Sequence, residues 1–209
     1  NAYCVHHLTD THDVILNMLE ECRKVGHEDR ALMFCSLSKV TFPGAGVAAM
    51  AASRRNIDYI LKNMFPMIIS FDKLNQVRHI RFLKDMDGLA AHMEKHRALL
   101  EPKFRAVLAI LDEGLSGCGS IARWTKPNGG YFLSLYTLGG CAKRTVQLCR
   151  EAGVVLTDAG AAYPYGVDPQ DSNIRIAPTF PPLDELETAS RLLCVCVRIA
   201  TLEKLLQRQ

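Results

Sequence analysis

The chain has 209 residues, 48% of them hydrophobic and 22% charged, enough apolar material for one compact domain or two small ones. Its formal net charge of +3 comes from interspersed signs, and without a concentrated basic block neither nucleic acid nor an acidic membrane is indicated as a partner. No charged head with a long apolar stretch opens the chain and no apolar run reaches about 18 residues, so no signal peptide or membrane span is expected and the cytoplasm is the default compartment.

Asn1-Ala-Tyr3 carries no initiator methionine and reads as the start of a fragment or a processed product. Helical period over residues 13–24 (Val14, Ile15, Met18, Leu19, Cys22) predicts a helix that Gly26 stops. Residues 31–35 are a buried strand candidate, followed by Ser36-Leu37-Ser38-Lys39 and the glycine-bearing turn Thr41-Phe-Pro-Gly-Ala-Gly46. The small apolar residues 47–52 suit a second strand or a tightly packed helix, and helices are predicted over 56–64 and 72–84. The longest helical pattern covers 88–115, where Leu89, Met93, Leu100, Phe104, Val107, Leu108, Leu111 and Leu115 recur at three- and four-residue steps. Pro102 should kink it or mark a junction. Short strands are then predicted at 121–124, 131–136, 154–157 and 174–177 around a helix over 141–152, and a last helix over 184–206 is entered through Pro181-Pro182. The domain boundary falls near residues 100–118.

Lys39 stands at the end of a strand with hydroxyls one and three residues before it, which suits covalent capture of a phosphorylated aldehyde. By itself the motif is also what a surface lysine after a strand looks like. Pro127-Asn-Gly-Gly130 is a hairpin turn by its own chemistry, and its glycines also permit close backbone approach to a ligand. Arg175 points opposite to Ile174 and Ile176 in a strand, so its guanidinium faces either solvent or a cleft, where its planar fork suits a carboxylate. The eight cysteines lack Cys-x-x-Cys spacing and read as buried free thiols; Cys194 and Cys196 would lie about 200° apart on a helix. His92 and His96 have the spacing of a helical metal pair but no evident third ligand, so no metal is expected, and His6-His7 reads as a satisfied polar pair at a strand end.

Tyr3, Ser36-x-Ser38-Lys39, Gly44, Pro127-Asn-Gly-Gly-Tyr-Phe132, Gly153-Val-Val, Ala159-Gly160 and Asn-Ile-Arg175 occur in the order and approximate spacing of class I/II aminotransferases. The chain resembles these fold-type I pyridoxal phosphate-dependent enzymes over essentially its whole length, with a bacterial aspartate-aminotransferase-like subgroup nearest. The resemblance implies an α/β fold in which residues 1–105 are the C-terminal part of the large cofactor-binding domain, and residues 106–209 a small C-terminal α+β domain joined by a long helix. It implies transfer of an amino group between an amino acid, aspartate-like, and a 2-oxo acid. Lys39 would form the internal aldimine and shuttle the α-proton, Tyr3 would bond the cofactor's phenolic oxygen, Ser36 and Ser38 would lie in the cofactor site with Ser36 on the phosphate, and Arg175 would clamp the substrate α-carboxylate. A cytoplasmic homodimer is implied as well.

Two departures from that pattern stand out. Gly46 and Val47 occupy the positions where the family usually places a phosphate-gripping arginine. The acid that pairs with the pyridine nitrogen would immediately precede Asn1, so the chain reads as a C-terminal half, inactive alone. A noncatalytic paralogue and an effector-binding domain of a transcription regulator are the alternatives.

Overall fold

The computed structural model describes residues 2–207; Asn1, on which the fragment reading rests, lies outside them. The chain divides into a first unit, Asn1–His7 with Thr11–His96, and a second, Leu8–Asp10 with Arg97–Gln209.

In the first unit, α1 (Met18–Lys24) starts at Asn17, whose side chain accepts the Glu20 N–H at 3.4 Å. The helix predicted from residue 13 is therefore shorter. Val14, Ile15 and Leu16 remain exposed, so coiling them would bring no burial to offset the backbone entropy lost. Strands β1 (Leu32–Ser36) and β2 (Ala48–Ala52) pair antiparallel from Leu32 opposite Ala52 to Ser36 opposite Ala48. The expectation of a buried β1 is corrected: all five of its residues are exposed, in a sheet that has two strands among the described residues. Helix α2 (Arg54–Met64) is capped by the Ser53 hydroxyl, which accepts the Asn56 N–H at 3.2 Å. Helix α3 (Lys73–Leu83) is capped by the Asp72 carboxylate on the Asn75 N–H at 2.9 Å.

Helix α4 (Met86–Leu115) is continuous, with Pro102 inside it, and the division between the units falls within it, between His96 and Arg97. An interior proline costs about 3 kcal/mol. Leu100, Phe104, Val107, Leu111 and Leu115 are all buried in the core of the second unit, at ~1.5–3 kcal/mol each. Packing therefore outweighs the missing hydrogen bond, and the expected kink or junction does not break the helix.

In the second unit, β3 (Ala122–Trp124), β4 (Leu133–Thr137) and β5 (Asn173–Ile176) form an antiparallel sheet in that order. Leu133, Leu135 and Thr137 alternate into the core with Ile174 and Ile176. Against it lie α5 (Ala142–Glu151) and α6 (Leu183–Leu206), bridged by Arg144, which donates to both Glu203 carboxylate oxygens at 2.7 and 2.8 Å. The connection between β3 and β4 runs over residues 125–132, so Asn128-Gly129 is not a tight two-residue hairpin. Instead the Asn128 carbonyl accepts the Leu8 N–H at 2.8 Å, and its side-chain oxygen accepts the Thr9 hydroxyl at 3.3 Å.

No strand forms at 154–157. Gly153, at φ +90°, ends α5 in a Schellman arrangement: Val154 N–H donates to Cys149 O at 2.8 Å and Gly153 N–H to Arg150 O at 3.0 Å. The apolar run is spent on stopping the helix.

Cys194 and Cys196 are both buried, on different sides of α6. Cys194 Sγ approaches Ile110 O of α4 at 3.7 Å, and burial pushes its thiol up to about 11. Burial, with Cys196 as neighbour, pushes the Cys149 thiol of α5 up to about 12. Cys4 and Cys35 are exposed, which corrects the reading of all eight as buried. Among the described residues no helix is long and apolar enough to cross a membrane.

Candidate active site

The connection from β1 to β2 begins as an extension of the ladder. Leu37 N–H donates to Val47 O at 2.9 Å, which brings Ser38 opposite Gly46. A Cβ at position 46 would lie 2.7 Å from Ser38 Oγ and 3.1 Å from Ser38 N. Only glycine lets the two backbones close here, and that gives a physical reason why no long side chain stands at 46. The Ser36 and Ser38 hydroxyls lie 2.8 Å apart, and Ser38 N–H donates to Ser36 Oγ at 3.2 Å.

The chain then winds through one turn in which Val40 and Thr41 N–H both donate to Leu37 O at 2.9 Å. Lys39 sits in that turn with its side chain exposed. Its main chain is held from several directions. His6 donates from Nε2 to Lys39 O at 2.7 Å, and His92 donates from Nε2 to Val40 O at 2.7 Å. Asn75 donates from Nδ2 to Ala45 O at 2.6 Å. His79 donates from Nδ1 to Asn75 O at 2.9 Å and places Nε2 at 2.9 Å from the Thr41 hydroxyl. Among the described residues the buried side chains of the first unit are His6, Val40, Asn75, His79 and Met93. A unit whose sheet and helices are mostly exposed thus concentrates its burial around the lysine turn and the adjoining α4.

Tyr3 lies edge-on to His6, with ring centroids 5.6 Å apart and an interplanar angle of 70°. His6 therefore contacts both Tyr3 and the Lys39 turn. Burial holds His6 below the ordinary imidazole value, against the raising effect of its bonds to Lys39 and Tyr3.

Arg175 belongs to the second unit. It pairs with Ser134 across the β4–β5 ladder, on the face opposite the buried Ile174 and Ile176. Its Cζ stands 4.8 Å from the Phe132 ring centroid. Its Nε is buried and has no hydrogen-bond partner among the described residues. Such a donor is set for an incoming acceptor rather than for a protein carboxylate.

The approach to β5 is organised by Asp168. Its carboxylate accepts the N–H groups of Ser172 (2.7 Å), Asn173 (2.8 Å) and Gln170 (3.0 Å). Partial burial raises its affinity for a proton, but these amides and the Ser172 hydroxyl outweigh it and hold the carboxyl below its ordinary value. A lowered carboxyl value stabilises the fold above the unfolded value, about 3.9, and that stability is lost as pH falls through the folded value. Asp168→Asn is expected to cost about 1 kcal/mol at neutral pH and less at about pH 2, after the fall toward the folded value. Urea unfolding at both pH values checks it; an equal loss at both would contradict the charge-dependent role.

The paired Ser36 and Ser38 hydroxyls adjoin the turn that carries Lys39, and Tyr3 reaches that turn through His6. The reading of His6-His7 as a pair at a strand end is corrected: residues 2–5 form a turn, and the partner of His6 is the carbonyl of Lys39. Asn75 and His79 were not singled out, although their four-residue spacing on α3 places them on one face.

The family model for aspartate aminotransferases matches residues 1–209. The chain belongs to the aspartate aminotransferase family. Among curated relatives of this aminotransferase-family chain, a putative aminotransferase of Mycolicibacterium smegmatis is 48% identical over 206 residues, covering 99% of the chain and 48% of the relative. An aspartate aminotransferase of Corynebacterium glutamicum is 41% identical over 203 residues, covering 97% and 47%. Among solved structures, a putative aminotransferase from Corynebacterium diphtheriae superposes with a TM-score of 0.93 at 44% identity, over 97% of the chain and 50% of that structure. An aspartate transaminase from Corynebacterium glutamicum gives 0.93 at 41%, over 98% and 48%. The chain spans about half the length of the curated relatives it matches. Its fold is that of the fold-type I aminotransferases, with the α/β character expected.

Proposed function

We propose that the full-length protein carrying this chain is a pyridoxal phosphate-dependent aminotransferase that moves an amino group between an aspartate-like amino acid and a 2-oxo acid. The observation that carries the reading is the Lys39 turn: an exposed lysine beside two paired serine hydroxyls, on a backbone closed by Gly46 and held by buried side chains. This donor set fits a phosphorylated aldehyde. Two hydroxyls and the neighbouring amides can cradle phosphate without the family's arginine, and the residue that follows Ser38 in the chain is the lysine.

When bound, the cofactor supplies a ring that accepts the electron pair left on the substrate α-carbon. The chain's own residues do the rest. Lys39 Nζ would hold the cofactor aldehyde and, when free, would carry the proton from the α-carbon. Ser36 would donate to the phosphate with Ser38 beside it in the site, Tyr3 would donate to the phenolic oxygen, and Arg175 would grip the substrate α-carboxylate with its fork.

The same reading makes residues 1–105 the C-terminal part of a large domain and 106–209 a small domain, in a cytoplasmic homodimer, with the chain alone inactive. An apolar groove of about 620 Å³ supports this: Phe34, Met50, Ile57, Phe65, Ile69 and Phe71 line it, and Phe34, Phe65, Ile69 and Phe71 are largely exposed. Such a surface is what the rest of a large domain covers. Borohydride reduction of the full-length protein with pyridoxal phosphate, followed by peptide mapping, is expected to label the peptide containing Lys39. Label confined to other lysines overturns the assignment.

A further inference from the structure

We propose that His6 and His92 are positioning residues for Lys39, acting as a two-point clamp on the main chain of its turn. A carbonyl oxygen can only accept, so each imidazole must carry its hydrogen on the Nε2 that faces Lys39 O or Val40 O, both at 2.7 Å. The two bonds fix the successive peptide planes Lys39–Val40 and Val40–Thr41. They come from opposite ends of the unit's sequence, His6 ahead of α1 and His92 on α4, and so tie the turn to both.

The second imidazole faces a third. His96 Nε2 lies 3.2 Å from His92 Nε2. The single Nε2 hydrogen of His92 is directed at Val40 O, so His96 Nε2 cannot point a hydrogen of its own at it and at most shares that one as a second acceptor, which requires the neutral ring with its hydrogen on Nδ1. The rings pack accordingly: His92 against His96 edge-on at 4.7 Å, His6 against His96 edge-on at 5.8 Å, and Phe82 closing over His92 at 5.1 Å. Burial, then the neighbouring His92 and His6, hold His96 below the ordinary imidazole value, consistent with a neutral acceptor. Among the described residues the exposed Lys39 side chain has no such support of its own, so its direction is set through the backbone. A lysine that must capture an aldehyde and later reach a proton benefits from a turn held in advance.

This inference rests on Lys39 being the cofactor lysine, and the test separates the two. His6→Leu and His92→Leu remove the donors, whereas His6→Gln and His92→Gln keep an N–H donor at about the reach of Nε2. Hydrogen exchange at the Val40 and Thr41 amides is expected to rise about tenfold in each Leu variant and to stay within about twofold in the Gln variants. Unchanged exchange over Arg54–Met64, in the same unit, shows that the variants remain folded. In the full-length protein, capture of added pyridoxal phosphate, followed by absorbance, is expected to slow about tenfold in the Leu variants and recover in the Gln variants. The clamp is overturned if the Leu variants leave exchange and capture unchanged, or if the Gln variants are as impaired as the Leu ones. Failure of the cofactor-lysine reading looks different: borohydride label falls on another lysine of the unsubstituted protein while the exchange differences persist.

Discussion

Lys39→Ala in the full-length protein is expected to lower transamination turnover by about 10⁴-fold, ~5.4 kcal/mol of transition-state stabilisation, with the fold unchanged. The fold is spared because the side chain is exposed, and exposed substitutions usually shift stability by no more than ~0.5 kcal/mol. The activity is not, because in the proposed role the residue supplies both the amine that binds the aldehyde and the base that moves the α-proton. Lys39→Arg sharpens the test. It keeps the positive charge but offers no amine that can lose its proton near neutrality. If charge alone mattered, Arg would restore turnover; the proposed role requires that it does not. Steady-state rates with aspartate and 2-oxoglutarate, beside thermal unfolding of each variant, decide the matter. Turnover within tenfold of the unsubstituted protein in Lys39→Ala would leave the lysine without a chemical role.

Arg175→Gln is expected to reduce kcat/KM for the amino donor about 10²-fold, ~2.7 kcal/mol, chiefly by raising KM. The guanidinium is turned toward the Phe132 ring, and its buried Nε has no partner among the described residues. It pairs with no protein carboxylate there, so its fork is free to take a substrate carboxylate in two hydrogen bonds. Lysine offers a point charge in place of the fork, so Arg175→Lys should recover only part of the loss. Amines lacking a carboxylate should react equally with all three proteins. An unchanged KM for amino acids in Arg175→Gln would return the residue to an ordinary place on a sheet face.

Much of the fold was readable where elements carry their own periodicity and caps. The two helices after β2 begin at Ser53 and Asp72, residues that cap by their own chemistry, and α4 shows an apolar stripe long enough to outweigh Pro102. Reading failed where an outcome depends on what lies across a gap in sequence. Residues 13–17 have helical spacing with nothing to pack against, and Val154-Val155-Leu156 has strand composition without a ladder. The exposure of β1 goes with a sheet of two strands among the described residues, which its own five residues cannot reveal. In the first unit the lysine, serines and tyrosine, and in the second the arginine, stood out through order and spacing. The imidazoles around the turn showed only as a polar pair, His6-His7, and as a helical metal spacing, His92 and His96; their main-chain carbonyl partners, 33 and 52 residues away, leave no local pattern.

The distribution of thiols gives the molecule two clocks. Cys4 and Cys35 are open to solvent in the first unit, while Cys149 and Cys194 are sealed in the second with their thiols pushed up to about 12 and about 11. The reactive species is the thiolate, so an alkylating reagent at neutral pH modifies the first pair without any unfolding. It reaches the second only when the helices around α6 part. The order in which the cysteines are modified therefore times the opening of that core, with no added probe.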